Sequence, residues 1–149
     1  MVEELMRTWA AGWAVSRGRP TPEERPWGLY VRVGKEDQVA RHVLTAPDAT
    51  MVRAAAASVD VPHTWLKVPA EPPAAEPWLP AGWIVDEEES GHLMATGLRR
   101  SGRSAPEGYT PSADTQDGVV LIEVHDGAGT LAAQARWPSS ARPSSSTGS

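Results

Sequence analysis

The chain has 149 residues, 14 basic against 19 acidic side chains for a net charge of −5, no cysteine, seven tryptophans and no phenylalanine. That length suits one ordinary domain, or a small domain with part of a second. The acidic balance excludes the electrostatic footprint of a nucleic-acid binder, and the lack of cysteine excludes disulfide staples, thiolate metal sites and thiol nucleophiles.

The first residues carry Glu3 and Glu4 where a secretory leader would carry bases, and no apolar run approaches membrane-spanning length. With the missing cysteines this leads us to expect a cytoplasmic protein with neither nucleic-acid nor membrane partners. Over residues 3–16, Leu5, Met6, Trp9, Trp13 and Val15 fall near helical spacing, and Ser16-Arg17-Gly18-Arg19-Pro20 is a stop signal. Residues 21–26 are expected to be a polar connection. Residues 27–34 alternate Leu29, Val31 and Val33 with Tyr30 and Arg32 as a half-buried strand, and residues 38–45 form its partner across a polar turn. Pro47-Asp48 opens an alanine-rich helix running to Ser58.

Further along, residues 63–68 are expected to form a strand, 69–77 a linker rich in Pro, Ala and Glu, and 78–83 a turn or single helical turn. The acidic run 86–89 reads as a solvated loop, 92–98 as another strand and 99–108 as a second linker. The clearest local signal is a hairpin: apolar runs at 119–124 and 130–137 flank His125-Asp126-Gly127-Ala128-Gly129. A phosphate loop is excluded at that tip because a phosphate cradle needs a helix N-terminus behind the glycines, and a strand-like run follows. The fold class expected is α/β: an N-terminal module of short strands and helices (1–103), a hairpin (106–137) and a disordered tail (138–149). The tryptophans are spread along the chain and read as core and edge packing.

Candidate catalytic residues are few, and none is assigned as a catalytic, cofactor or metal residue. His42, His63, His92 and His125 lie on or beside expected strands, with no pair at metal-ligand spacing. Ser101 and Ser104 lack the glycines of a nucleophile elbow. Arg99-Arg100-Ser101-Gly102-Arg103-Ser104 approaches an R-x-x-G-x-G/A phosphate loop, but its last small residue is Ser104, and Pro106-Glu107-Gly108 stands where a helix should begin.

Two groups of residues carry a resemblance. Trp9, Gly12, Trp13, Ser16, Arg17 and Gly18 match a W-x-x-G-W-x-x-S-R-G helix end, and Pro106, Gly108 and Tyr109 match a P-x-G-Y segment. Both resemble the N-terminal half of GNAT-superfamily N-acetyltransferases from high-GC bacteria, and the resemblance spans nearly all of residues 4–136. Residues 119–137 are similar to an early strand pair of the catalytic domain, with Asp126 and Gly129 at its D-x-x-G turn.

The resemblance implies a parent that transfers an acetyl group from acetyl-CoA to an amine by direct attack in a ternary complex. The strand and the pyrophosphate loop that would hold acetyl-CoA after the hairpin are missing. The chain is therefore expected to be an incomplete, inactive acetyltransferase-like piece, with no cofactor of its own. The alternative from the residues is a small non-enzymatic protein-binding module, with self-association through the edge of the 119–137 hairpin.

The serine-rich end leaves two origins open. TCN serine codons read one base earlier encode only Phe, Leu, Ile or Val. Under that shift residues 137–149 become an Ala-Val-Val…Asp-Arg-Val string like the family's next strand, the expectation for a frameshifted end. The other origin is a natural low-complexity tail.

Overall fold

The computed structural model describes residues 1–97 and 102–139. Helix α1 (Val2–Ser16) has Glu3 and Glu4 in its first turn, where acids complement the helix dipole. It ends in a Schellman closure. The N–H of Gly18 (φ +60°) donates to Val15 O and that of Arg19 to Ala14 O, at 3.0 and 2.8 Å.

Four strands make the first sheet: β1 (Glu23–Arg25), β2 (Gly28–Arg32), β3 (Ala40–Leu44) and β4 (Thr64–Lys67), in that spatial order. The first two pairings are antiparallel, and β4 runs parallel to β3. That parallel return requires a crossover, supplied by α2 (Ala49–Ala57). Asp48 caps α2 as the sequence suggests, its carboxylate accepting from Met51 N at 2.8 Å.

Each face of this sheet has a cover. Under α1, Met6, Ala10, Leu29, Val31 and Val43 form one cluster, with Trp9 and Trp13 packed against it. On the α2 side, Leu44, Val52 and Ala55 form another, bordered by Trp27, Met51, Leu66 and Trp78. Strand β3 is thus buried at all five positions, its polar Arg41 and His42 included.

Three expectations about elements need correcting. The connection at 21–26 contains β1, drawn into the sheet by pairing with β2 and by the Glu24–Arg7 contact to α1 at 2.9 Å. The linker at 69–77 contains a short helix, α3 (Pro72–Ala75), and a 3-10 turn (Glu76–Trp78). There prolines at the first helical positions pre-set φ, and Ala75 is buried. The strand expected at 92–98 is not formed over 92–97, and Leu98 lies outside the described residues.

The second sheet is a three-stranded antiparallel meander of β5 (Thr110–Gln116), β6 (Val119–His125) and β7 (Leu131–Pro138). The expected hairpin is β6–β7. Asp126 closes its tip by accepting from Ala128 N and Thr130 N at 2.9 and 2.8 Å, with Gly129 at φ +81°. Strand β5 lies between the expected linker (99–108) and the hairpin, where the sequence reading gives no element, although Asp117-Gly118, at φ +50° and +75°, is the type I′ pair that joins it to β6. Pro138 is the last strand residue, opposite Val119, and Ser139 N donates to Gly118 O at 2.7 Å, so the first two residues of the expected tail join the sheet; residues 140–149 lie outside the described residues.

The second sheet meets the rest of the protein at α1. A Cβ added at Gly12 would lie 3.9 Å from Pro138 Cγ, an ordinary van der Waals contact. Because Gly is about 1 kcal/mol worse than Ala inside a helix, Gly12→Ala should stabilise the protein by roughly 0.5–1 kcal/mol. Urea denaturation tests this, and a lower midpoint would contradict it. Among the described residues no helix is long and apolar enough to cross a membrane.

Candidate functional site

The catalytic candidates are not assembled. His42 is buried in β3, His63 precedes β4 at φ +60°, His92 lies in irregular chain and His125 ends β6. Among the described residues no three His, Asp or Glu side chains are grouped to hold a metal ion. In the near-miss loop, Arg99, Arg100 and Ser101 lie outside the described residues. Gly102 to Pro106 has no regular structure, and a turn at Glu107-Gly108 leads into β5, so no helix N-terminus follows Ser104. In the acidic run, Asp86 accepts from Glu89 N at 3.1 Å as part of its own turn.

His42 has a structural role. Trp27 Nε1 donates to its Nδ1 at 3.1 Å, which requires an unprotonated acceptor nitrogen there. Burial pushes the His42 pKa down, Arg25 adds to this and Asp60 opposes it. The folded state therefore favours neutral imidazole, whereas the unfolded chain takes up a proton as pH falls through about 6.5. Stability from His42 is complete above that pH and declines below it. His42→Asn retains an acceptor but cannot titrate, so its Tm should fall less than that of the parent between pH 7 and 5.5; parallel losses would contradict this.

Arg41 and Lys67 stand on the α1 side of the first sheet. Arg41 is 8% exposed, with its guanidinium carbon 4.3 Å from the centre of the Trp13 ring. One amino group donates to Gln38 Oε1 at 2.6 Å, and Nε has no partner. Burial pushes both cations below their ordinary pKa; Lys67 Nζ donates to the Glu89 carbonyl at 3.4 Å and lies 5.2 Å from the centre of the Trp65 ring. Lys67, Trp9, Trp65 and Trp83 line an open groove of about 860 Å³ beside β4, with Asp86, Glu87 and Glu89 also in its wall. Lys67 faces four carboxylates in this wall, those of Glu71, Asp86, Glu87 and Glu89, so the groove is net acidic and disfavours anions.

The W-x-x-G-W-x-x-S-R residues do come together. Trp9, Gly12, Trp13, Ser16 and Arg17 fall on adjacent turns of α1 and line a cleft of about 510 Å³ against Gln134, Arg136 and Pro138 of β7. Ser16 Oγ donates to Trp13 O at 2.9 Å, a helix-end bond. This motif therefore seats the second sheet on the first module.

The least ordinary feature is how that second sheet is oriented. Strand register and alternation divide it into two faces. One carries Asp114, Glu123, His125, Gln134 and Arg136 together with the apolar Val119, Leu121 and Leu131, and through Gln134, Arg136 and Pro138 it is the face turned toward α1. The other carries Pro111, Ala113 and Thr115 on β5, Val120, Ile122 and Val124 on β6, and Ala133, Ala135 and Trp137 on β7. This second face has no charged residue, and no described element lies over it. No residue of the sheet is buried, and Trp137 is 45% exposed. An antiparallel sheet normally turns its apolar face to a core and its polar face to water; here the face toward α1 is mixed and the face without charge lies on the other side. A contiguous uncharged face of this kind is a candidate interaction surface.

Sequence reasoning missed the face because it assigns no element to residues 109–118, between the linker at 99–108 and the hairpin. The signal available was Asp117-Gly118 preceding an apolar run. With β5 in place, the free edges are those of β5 and β7, and the β6 edge is paired throughout. Compared with known proteins, the chain matches no family model, no curated protein and no solved structure.

Proposed function

We propose that this chain is the N-terminal part of an acetyltransferase-like protein, cytoplasmic in location, which does not itself bind acetyl-CoA or transfer acetyl groups. In this form it acts by docking. The observation that carries the reading is the uncovered apolar face of β5–β7. The first sheet has a helix on each side, whereas the second has the chemistry of an inner sheet and lacks its outer layer. An opening sheet of a larger α/β domain has this character. The W-x-x-G-W-x-x-S-R and P-x-G-Y residues supply the resemblance that names the domain.

The lack of catalysis follows from the anion-binding requirement. Pyrophosphate needs unpaired backbone donors at a helix N-terminus, and the two glycine-containing stretches considered for it lead into β5 and β7. Calorimetric titration of the chain with acetyl-CoA should show no saturable heat at micromolar ligand. A micromolar Kd, lost in Arg99→Ala or Gly102→Ala, would overturn the reading.

A small protein-binding module is the second reading, favoured by the same face. It differs in what completes the sheet: another protein rather than further acetyltransferase-like structure.

A further inference from the structure

We propose that Asp117-Gly118, the turn joining β5 to β6, is a site of self-modification. The Asp117 carboxyl cyclises onto the Gly118 nitrogen, and hydrolysis leaves an isoaspartate that releases β5. The inference goes beyond the preceding reading and depends on neither the acetyltransferase resemblance nor docking.

The sequence narrows this chemistry to two places. The chain has no asparagine, so deamidation cannot supply isoaspartate. Only Asp117 and Asp126 are followed by glycine, which has no Cβ to shield its nitrogen from a neighbouring carboxyl carbon. Both pairs lie at turns of the second sheet, so each serves as the other's control. The step balances without a co-reactant. The Gly118 nitrogen bonds to Asp117 Cγ, the carboxyl hydroxyl leaves with the amide proton as water, and a five-membered succinimide forms. Water then opens the ring. Attack at Cγ restores aspartate. Attack at the Asp117 main-chain carbonyl routes the chain through Cβ and Cγ and frees that carbonyl as the new carboxylate.

Structure separates the two pairs. Asp126 is anchored: its Oδ1 accepts from Ala128 N at 2.9 Å and from Thr130 N at 2.8 Å. Those bonds must break before Cγ can turn onto the Gly127 nitrogen. Asp117 has no such anchor. It is exposed, and among the described residues its carboxylate makes no hydrogen bond or ion pair. The Gly118 N–H likewise has no described acceptor. Asp117 also sits at φ +50°, where a residue other than glycine is strained. Strand β5 is exposed at all seven positions and pairs on one side only. Opening it therefore costs little and frees the turn dihedrals that ring closure needs.

The consequence is a lost register. A two-residue type I′ link sets Gln116 opposite Val119, and every further β5–β6 pair follows from it. Isoaspartate adds a methylene carbon to that link, which no longer closes the same turn. Strand β5 has no other partner strand, so it leaves the sheet. Pro111, Ala113 and Thr115 then leave the uncharged face, and the β6 edge is bared.

The test is to age the full chain for several weeks at physiological temperature in oxygen-18 water. Cleavage after Glu107 and Glu123 then places the two sites in separate peptides. Electron-transfer fragmentation tells isoaspartate from aspartate, and uptake of solvent oxygen marks passage through the succinimide. Isoaspartate at Asp117 should form about tenfold faster than at Asp126, the factor that two bonds to a carboxylate readily supply. In urea, where nothing anchors Asp126, the two sites should age at similar rates. Amide exchange of the isomerised chain should show β5 unprotected, with β6 and β7 retained.

No isoaspartate at Asp117 in the folded chain would overturn the proposal. So would equal ageing of the two sites in the folded chain, a preference for Asp117 that persists in urea, or an isomerised chain that keeps β5 protected. Acetyl-CoA binding to the chain would sink the preceding functional reading and leave this one standing; equal ageing would do the reverse.

Discussion

Gly28→Ala should abolish the native fold of the first sheet, with a loss of at least about 4 kcal/mol, the size of effect reserved for severe steric or backbone conflicts. Gly28 opens β2 at φ +143°, a region closed to side-chain-bearing residues. A Cβ there would stand 2.2 Å from the Val43 carbonyl oxygen and 3.0 Å from Thr45 N. Both are backbone atoms of, or adjoining, the fully buried strand β3, so neither can swing aside as a flexible side-chain tip could. The close approach follows from the tight link Pro26-Trp27 between β1 and β2, which brings Gly28 opposite both Arg25 and Leu44. Far-ultraviolet circular dichroism and urea denaturation provide the check. A variant within 1 kcal/mol of the parent would show that the strand can move, contrary to this packing.

Leu44→Ala and Leu121→Ala make the same chemical deletion in the two sheets and should differ several-fold in cost. Leu44 is 0% exposed and packs with Val52 and Ala55 under α2. Its loss should cost about 3 kcal/mol, through lost transfer energy and the cavity left behind. Leu121 is only half-buried, on the α1 side of β6. Water can occupy much of the space it leaves, so about 1 kcal/mol is expected. Urea denaturation of both variants gives the comparison. The same asymmetry should appear in amide exchange, with β3 protected near the global limit and β5 and β7 far less. Equal costs for the two leucines would mean that the α1 side of the second sheet is as tightly packed as the core under α2.

Strong periodicity made several elements legible in advance. Met6, Trp9 and Trp13 marked α1, the alternation at 29–33 marked β2, and Asp48 before an alanine run marked α2 and its cap. The turn reading at 126–129 held because an Asx side chain and a glycine in the left-handed region close that bend within a few residues. In each case the interaction that decides the element lies inside the element, so local sequence suffices.

The remaining features depended on tertiary partners. Glu23-Glu24-Arg25 has no strand signal of its own and becomes β1 because β2 offers an edge and Arg7 and Arg32 offer cations. Thr110–Gln116 is polar enough to be a linker, and it is a strand because β6 templates it. At 92–97 the opposite occurs: an alternating run forms no ladder, since strand propensity without a paired neighbour leaves backbone groups to water. Arg41 and His42 look like surface residues in a polar-apolar run, and α1 and α2 cover them from opposite sides.

The candidate site belongs to this second class. Composition and alternation mark Val120, Ile122 and Val124 as members of an apolar face. Whether that face looks inward or outward is set by how β7 meets α1 through Gly12 and Pro138, a contact more than a hundred residues apart in the chain. A strand's pattern records that one face must leave water; the packing of other elements decides what, if anything, removes it.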